Sequence, residues 1–262
     1  MQKLAEFRDS IRIARNMART ARLKIEWVRR ANWLGAHLPE KEFIAPTFLG
    51  ELAIEKRAAK TERLGEFPVH EVYASPELHE VRERYGMTRH SNLLRSSRDL
   101  GRFYRWLVVN RKPEIVVEFG TAFGVSGMYW LAGLEANGFG ELLTFEINEE
   151  MRRIAVANLS TVGRRFSSIA GAFEDKVDEA LKGRKIDIAF IDAVHTSAWV
   201  MPQFEHVMKR IQPGGLVAFD DIDFSDDMRD AWNTVASDPR GTAAVALGGH
   251  VGLFEVAGSP RS

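Results

Sequence analysis

Four side chains in the second half of the chain have the residue types needed to bind a metal ion and to move a proton. Asp192 and His195 follow the apolar segment IDIAFI, and Asp220 and Asp221 follow the apolar segment LVAF. If these segments are neighbouring parallel strands, their carboxyl ends meet at the edge where open α/β sheets bind ligands. Three carboxylates at that edge form a hard oxygen site suited to Mg²⁺. His195, expected to be neutral at physiological pH with an ordinary pKa of about 6.5, is the candidate base.

A glycine-rich turn lies upstream, in the segment IVVEFGTAFGVSGMYW that runs from Ile115 to Trp130. A short apolar strand is followed by three glycines with G-xxx-G-xx-G spacing, and an apolar helix begins near Val125. Such a turn brings backbone N–H groups and a helix N-terminus to a nucleotide-like ligand. The spacing differs from the G-x-G-xx-G of dinucleotide folds, and Glu118 lies two residues before the first glycine.

From residue 113 onward, strands and helices are predicted to alternate. The predicted strands are 115–119, 141–147, 166–170, 186–191, 215–220, 242–247 and 251–256. The predicted helices are 125–136, 149–160, 173–181, 196–211 and 226–236. A helix after each of the first five strands requires parallel pairing, and Gly248-Gly249 predicts a hairpin between the last two. We therefore expect a doubly wound, Rossmann-like α/β sheet of seven strands, parallel except for a C-terminal antiparallel hairpin.

The first 90 residues are predicted to form a helical extension or cap, and residues 91–262 the α/β domain. Further helices are expected at 51–64, 76–85 and 97–110. Apolar residues at three- and four-residue steps form a helical stripe, made of Leu4, Phe7, Ile11, Ala14, Ala18, Ala21, Ile25 and Val28. The stripe predicts a dimerisation helix and so favours a homo-oligomer. Contact with an anionic membrane surface is the alternative, because residues 1–30 contain nine Lys or Arg and only three acids.

The composition restricts the class of protein. The 262 residues include no cysteine, which excludes disulfide scaffolds and fits a reducing compartment. No apolar run approaches the roughly 20 residues that span a bilayer. The formal net charge of zero argues against nucleic acid as the main partner. We expect a soluble, cytoplasmic protein.

The glycine turn together with Glu118 resembles the first motif of the class I S-adenosylmethionine (SAM) dependent methyltransferases. A carboxylate near the turn suits a cationic sulfonium with an α-amino group better than it suits a pyrophosphate. The segment QPGGLVAFDD at residues 212–221 is similar to the turn that enters the fifth strand of this superfamily. The resemblance implies that Glu146 binds the ribose hydroxyls and that Ala172 and Phe173 hold the adenine. The implied cofactor contacts are Glu118, Gly120, Thr121, Ser126, Glu146, Ala172, Phe173 and Asp192.

The D-xx-H and D-D clusters are similar to those of the metal-dependent O-methyltransferases of the catechol and macrolide-sugar types. In those families an Asp that ends strand four and a pair that ends strand five hold the metal, and the base lies three residues after the first Asp. The resemblance implies that Asp192, Asp220 and Asp221 bind Mg²⁺ and that Asp192 and His195 are catalytic. It covers residues 100–256. The chain departs from the catechol type, since its strand-five pair is Asp-Asp rather than Asp-Asn.

The reaction that this resemblance implies is transfer of a methyl group from SAM to a hydroxyl of a small molecule. A metal-independent methyltransferase, in which Asp192 and His195 bind the substrate directly, is the nearest alternative. An NAD-type oxidoreductase and a non-catalytic SAM-binding protein are alternatives from other classes. The sequence does not identify the methyl acceptor.

Overall fold

The computed structural model describes residues 11–13, 15, 17, 19–68, 79, 83, 86–192 and 194–258. The strands are β1 (Ala21–Arg29), β2 (Glu42–Ala45), β3 (Glu66–Pro68), β4 (Thr88–His90), β5 (Ile115–Phe119), β6 (Glu141–Glu146), β7 (Phe166–Ala170), β8 (Ile186–Ile191), β9 (Ile211–Phe219), β10 (Gly241–Leu247) and β11 (Val251–Val256). The helices are α1 (Asn32–His37), α2 (Glu51–Thr61), α3 (Arg98–Arg111), α4 (Val125–Asn137), α5 (Glu149–Leu159), α6 (Phe173–Leu181), α7 (Ser197–Met208) and α8 (Asp226–Ser237).

Nine of the strands form one sheet in the order β2-β1-β10-β11-β9-β8-β5-β6-β7, and β3 pairs with β4 separately. Strands β5 to β9 pair in parallel, whereas β10 and β11 are antiparallel to each other and to their neighbours. The predicted doubly wound, Rossmann-like α/β fold with its C-terminal hairpin is thereby confirmed. The predicted number of strands was too small, because β1 and β2 add two to the expected seven.

The prediction of a helix through residues 21–28 was wrong. These residues form β1, whose Ala21, Leu23 and Ile25 are buried while the residues between them are exposed. The segment ARLKIEW alternates apolar and polar residues, so it satisfies the period of a strand as well as a helical stripe. Pairing with β10, for example Ile25 with Leu247, decides in favour of the strand.

Other predictions for the N-terminal part remain open. The beginning of the predicted stripe, including Leu4, Phe7, Ala14 and Ala18, lies outside the described residues, as does most of the predicted helix at 76–85. The division of the chain at residue 90 remains a prediction. Among the described residues, no helix combines the length and the apolarity needed to cross a bilayer.

Side chains from the two faces of the sheet form two apolar cores. Along β5, Val116 belongs to the core under α3 and α4, whereas Ile115 and Val117 belong to the core under α6, α7 and α8. This alternation follows from the two-residue period of a strand. Helices α3 and α4 approach closely at glycines: a Cβ at Gly101 would lie 2.4 Å from the ring of Tyr129. This close contact holds α3, the helix that carries Tyr104, against α4 in the core on this face of the sheet.

Buried charges connect the N-terminal part to this layer. Nε of Arg102 on α3 donates to Glu51 of α2 at 2.5 Å, and the two side chains are 1% and 0% exposed. At the opposite side, the carboxylate of Glu255 on β11 accepts hydrogen bonds from the backbone N–H groups of Trp33 and Leu34 at the start of α1. The described segment from residue 21 to residue 61 is therefore joined to the rest of the fold by specific polar contacts as well as by strand pairing.

Candidate active site

A cavity of about 1330 Å³ opens at the carboxyl edge of the parallel strands. Its wall contains the turn after β5, the ends of β6, β8 and β9, and Leu23 of β1. Sites for one drug-sized ligand are about 300–1,000 Å³. The cavity is therefore large enough for a cofactor and a second small molecule.

The glycine turn forms one end of this cavity. Gly120 and Gly124 have φ angles of 78° and 74°, and Ala122 between them is also left-handed with φ 43°. The N–H groups of Gly120 and Thr121 both donate to the carbonyl of Phe145 at 3.1 Å, which ties the turn to β6. A tight turn of this kind directs the N-terminus of α4 toward a ligand in the cavity.

Glu118 lies behind this wall and is fully buried. Its carboxylate accepts hydrogen bonds from Ser126 Oγ at 2.6 Å and from Thr144 Oγ1 at 2.7 Å. Ser126 lines the cavity. The predicted contact of Glu118 with a cofactor would therefore act through Ser126. Burial raises the pKa of Glu118 to about 7, although the two hydroxyl groups oppose the shift.

This raised pKa makes the stability of the protein depend on pH. Between about pH 4.5 and 7 the folded state holds a proton on Glu118 that the unfolded state loses, so stability falls as pH rises through this window. Glu118→Gln is expected to remove this component, which amounts to about 3 kcal/mol. The measurement is urea unfolding of both proteins from pH 4.5 to 8. Glu40→Gln at an exposed position is the control, and equal pH slopes for Glu118→Gln and wild type would contradict the assignment.

Glu146, at the end of β6, lines the cavity and is 7% exposed. Its oxygens accept hydrogen bonds from the backbone N–H groups of Ala122 at 2.7 Å and Asn148 at 2.8 Å. Burial raises the pKa of Glu146, and these two N–H groups oppose the shift. The carboxylate is thus fixed in place beside the glycine turn, with lone pairs left for the hydroxyls of a ligand.

Ala172 and Phe173 also line this end of the cavity, together with Thr121 and Ser126. Phe173 has two roles, since its ring also packs on Phe119 with centroids 3.7 Å apart and is only 2% exposed. The structure therefore brings Gly120, Thr121, Ser126, Glu146, Ala172 and Phe173 around one space and places Glu118 behind it.

The acids and histidines converge at the other end of the cavity. Nε2 of His195 lies 3.2 Å from Asp192 Oδ1, and Nδ1 lies 2.6 Å from Asp221 Oδ2. Asp221 also contacts His250, whose Nε2 is 2.7 Å from Asp221 Oδ1. The prediction that strands four and five are neighbours is confirmed by the parallel pairing of β8 with β9, which is what brings these groups together.

The two carboxylates beside His195 favour the protonated form of its ring. Burial alone would lower its pKa, but the hydrogen bonds to Asp192 and Asp221 outweigh burial and hold the pKa well above 6.5. Carboxylates lie at both of its ring nitrogens, and the role of His195 as a neutral base remains a prediction. Burial would raise the pKa of Asp221, but hydrogen bonds from His195 and His250 outweigh burial and lower it.

Asp220 is the carboxylate with the fewest partners in the cluster. It is 8% exposed, and its Oδ1 accepts no hydrogen bond from any residue that the structure describes. Burial raises the pKa of Asp220 well above its ordinary value, and the neighbouring charges of Asp192 and Asp221 raise it further. An unpartnered buried carboxylate oxygen is costly, so the site is suited to a cation or a donor from a ligand.

Two members of the cluster were not predicted. Neither His250 nor Asp223 was among the predicted site residues, yet Asp223 Oδ1 lies 2.8 Å from His250 Nδ1. The predicted hairpin could have indicated that His250 lies close to Asp221. In an antiparallel β9–β11 pair Gly252 lies opposite Phe219, and extending that register by two places brings His250 opposite Asp221.

Comparison with known proteins agrees with this geometry. Residues 117–222 match the family model described as a methyltransferase domain. Over this segment, which is less than half of the chain, the protein is similar to that family. The predicted relationship to the class I SAM-dependent methyltransferases is thereby confirmed, and the matched segment extends from the glycine turn to the acid pair. A comparison with curated protein sequences finds no match.

Solved structures share the fold of this methyltransferase domain at low sequence identity. The O-methyltransferase TomG of Streptomyces achromogenes, solved with SAM, is 20% identical with a TM-score of 0.53, over 63% of this chain and 82% of its own. The O-methyltransferase of Bacillus cereus, solved with SAH (S-adenosylhomocysteine), is 21% identical with a TM-score of 0.53, over 78% of this chain and 100% of its own. A SAH-bound methyltransferase of Podospora anserina is 15% identical with a TM-score of 0.53, over 82% and 100%.

Proposed function

We propose that the protein transfers the methyl group of SAM to a hydroxyl of a small molecule. The observation that carries this proposal is the position of His195, fixed between Asp192 and Asp221 in the same cavity as the glycine turn and Glu146. One end of the cavity has the groups that suit a nucleoside with an amino-acid tail, and the other has the groups that suit a hydroxyl. TomG and the Bacillus cereus enzyme, which share the fold, are O-methyltransferases.

The residues at the cofactor end fit SAM. Glu146 offers carboxylate lone pairs to a ribose, and Ala172 and Phe173 offer an apolar surface to a base. Ser126 and the N–H groups of the turn offer polar contacts to the amino-acid part of the molecule. SAM supplies an electrophilic methyl group on sulfur. Alignment of the acceptor oxygen with that methyl group provides most of the remaining catalysis.

The acceptor hydroxyl loses its proton as it attacks, and His195 is the proposed base. In the described geometry both ring nitrogens face carboxylates, so His195 becomes a base when its contact with Asp221 opens and Nδ1 releases its proton to solvent. Nδ1 then faces the acceptor, while Asp192 continues to hold Nε2 and stabilises the charge that develops on the ring. After transfer, the proton remains on His195 and is released to solvent through the cavity mouth.

A divalent cation fits the acidic end, because Asp220 Oδ1 is buried without a hydrogen-bond donor from the described residues. The prediction of Mg²⁺ on Asp192, Asp220 and Asp221 remains a prediction. Bound there, a cation would lower the pKa of the hydroxyl and orient its oxygen. A metal-independent methyltransferase is the second candidate, because the contacts of His195 and His250 already offset the charge of Asp221.

The cofactor part of the proposal is tested with Glu146→Ala. Loss of two charge-assisted hydrogen bonds, each about 1.5–3 kcal/mol at a charged group, is expected to raise the Kd for SAM at least about 10-fold. Isothermal titration of the purified protein with SAM measures this. Glu141→Ala, at the opposite end of the same strand, is the control and should stay within about twofold of wild type. An unchanged Kd for SAM in Glu146→Ala would exclude Glu146 as a residue that binds the cofactor.

The reaction itself is tested by following SAH release with a panel of catechols, hydroxylated sugars, polyketides and peptides. The assay is run with and without EDTA. Turnover with any hydroxylated member supports O-methylation, and its loss in EDTA supports the metal. SAM binding without turnover across the panel would favour a non-catalytic SAM-binding protein. The homo-oligomeric state, the absence of nucleic-acid partners and the cytoplasmic location remain predictions.

A further inference from the structure

We propose that Asp220, Asp221 and His250 form a mixed oxygen and nitrogen site for a divalent transition-metal ion, with Asp223 orienting the histidine. This inference deepens the proposed function and rests on it for the use of the metal. The binding itself is measured without SAM or an acceptor. The ligand set differs from the three carboxylates expected from the sequence, because the hairpin β10–β11 supplies a histidine.

The three donor groups converge on one point. Among the described residues, one donor atom each from Asp220, Asp221 and His250 lies within 4.8 Å of the other two. His250 Nε2 is 2.7 Å from Asp221 Oδ1 and 3.9 Å from Asp220 Oδ1. The 3.9 Å separation is within the reach of one ion with metal–ligand bonds of about 2.0–2.2 Å, whereas the 2.7 Å contact is a hydrogen bond that the ion would replace.

A second observation points to a ligand at this position. Asp220 is more than nine-tenths buried, and its Oδ1, the atom that faces His250, accepts no hydrogen bond from a described residue. A buried carboxylate oxygen without a donor is destabilising unless a cation or a donor occupies the space beside it. A metal ion at the point of convergence would satisfy this atom.

Asp223 gives His250 the orientation of a metal ligand. Its Oδ1 lies 2.8 Å from Nδ1 of the ring. Because a carboxylate only accepts, Nδ1 carries a hydrogen toward Asp223, and Nε2 carries one toward Asp221 that a metal ion would replace. Metal-binding histidines commonly donate their other ring N–H to a carboxylate in this way. Aspartate, histidine and the ion would then form a carboxylate–histidine–metal triad.

The fold keeps this geometry rigid. His250 follows the Gly248-Gly249 turn, and its backbone carbonyl accepts a hydrogen bond from the N–H of Ile222 at 3.1 Å. Asp221 itself has φ 53°, an uncommon angle for a non-glycine residue that directs its side chain from the strand end toward both histidines.

The donor set selects the metal. Mg²⁺ prefers oxygen ligands only, whereas an imidazole nitrogen favours Co²⁺, Ni²⁺ or Zn²⁺. We therefore expect Co²⁺ to bind more tightly than Mg²⁺. The preference should depend on His250, because two carboxylates alone would bind both ions.

The test is metal binding by the full chain after EDTA treatment and dialysis, using isothermal titration with Co²⁺ and with Mg²⁺. His250→Ala is expected to weaken Co²⁺ binding at least about 10-fold and to leave Mg²⁺ binding within about twofold. Asp223→Asn is expected to weaken Co²⁺ binding about 10-fold or more, the range for outer residues of a metal site. His37→Ala, at a histidine of α1, is the control and should change neither affinity.

A second variant and a spectrum separate ligation from folding. His250→Asn keeps a polar side chain, and circular dichroism confirms that each variant is folded. The visible spectrum of the bound Co²⁺ should change in both His250 variants. Equal Co²⁺ affinity and an unchanged spectrum in folded His250→Ala would overturn the inference. That result would not affect the proposed methyl transfer, because SAM titration and SAH release test it separately.

Discussion

Replacing His195 with alanine is expected to lower kcat for methyl transfer by about 10²- to 10⁴-fold, the usual contribution of a general base. The acceptor proton then has no side chain to receive it, and Asp192 and Asp221 lose their common partner. Affinity for SAM should remain within about twofold of wild type, because His195 lies at the end of the cavity opposite Glu146. The measurement is SAH release with an acceptor found in the panel, together with a SAM titration.

The pH profile distinguishes a base from a structural residue. In wild type, kcat should rise with pH, since His195 must lose its proton before it can act and its contacts with two carboxylates raise the pKa. In His195→Ala this rise should disappear. His195→Gln keeps a polar side chain of similar reach and should be as slow as the alanine variant. A variant that retains wild-type kcat and its pH dependence would exclude His195 as the base.

Replacing Arg102 with methionine is expected to lower the free energy of unfolding by about 3–5 kcal/mol. Glu51 is 0% exposed and would be left as an uncompensated buried charge, because Arg102 is its ion-pair partner and Glu51 Oε2 accepts no hydrogen bond from a described residue. Urea unfolding measures the change. The matched control is Arg22→Met, which removes an exposed pair with Glu42 and should cost about 0–1 kcal/mol.

The double variant Glu51→Leu with Arg102→Met measures the net contribution of the ion pair to the free energy of unfolding. The single variant also includes the penalty of leaving Glu51 buried without a partner. Replacing both charges with apolar side chains is expected to recover most of the loss, since well-packed apolar residues often replace a buried pair without loss. If Arg102→Met alone lowers the free energy of unfolding by less than about 1 kcal/mol, the buried pair stabilises the protein no more than an exposed ion pair does.

The parallel part of the sheet was predictable because its signals are local. Strands such as β5 and β8 are apolar runs long enough to be buried on both faces, and glycines or acids mark their ends. The glycine turn, Glu146 and the Asp192–His195 pair follow directly from those strand ends. Their convergence then follows from the order of parallel strands and needs no knowledge of side-chain packing.

The parts that were mispredicted depend on contacts distant in sequence. Residues 21–28 fit a helix and a strand equally well, and only pairing with β10 selects the strand. His250 contacts Asp221 because of the register between β9 and β11. The local sequence does not indicate this contact, because the two residues are 29 positions apart. The pKa of His195 depends on the distances to carboxylates from two strands, which the sequence alone does not give.

The pairing of β1 with β10 also determines when the sheet can be completed during synthesis. Ile25 pairs with Leu247, so the ribosome must add more than 200 residues before β1 meets its partner. At about 5–20 residues per second this takes roughly 10–40 s. During that interval an alternating apolar segment is exposed and is open to wrong partners or to capture by chaperones. His250 emerges later still, so a nascent chain contains the glycine turn and all four predicted catalytic and metal residues well before the cluster is complete.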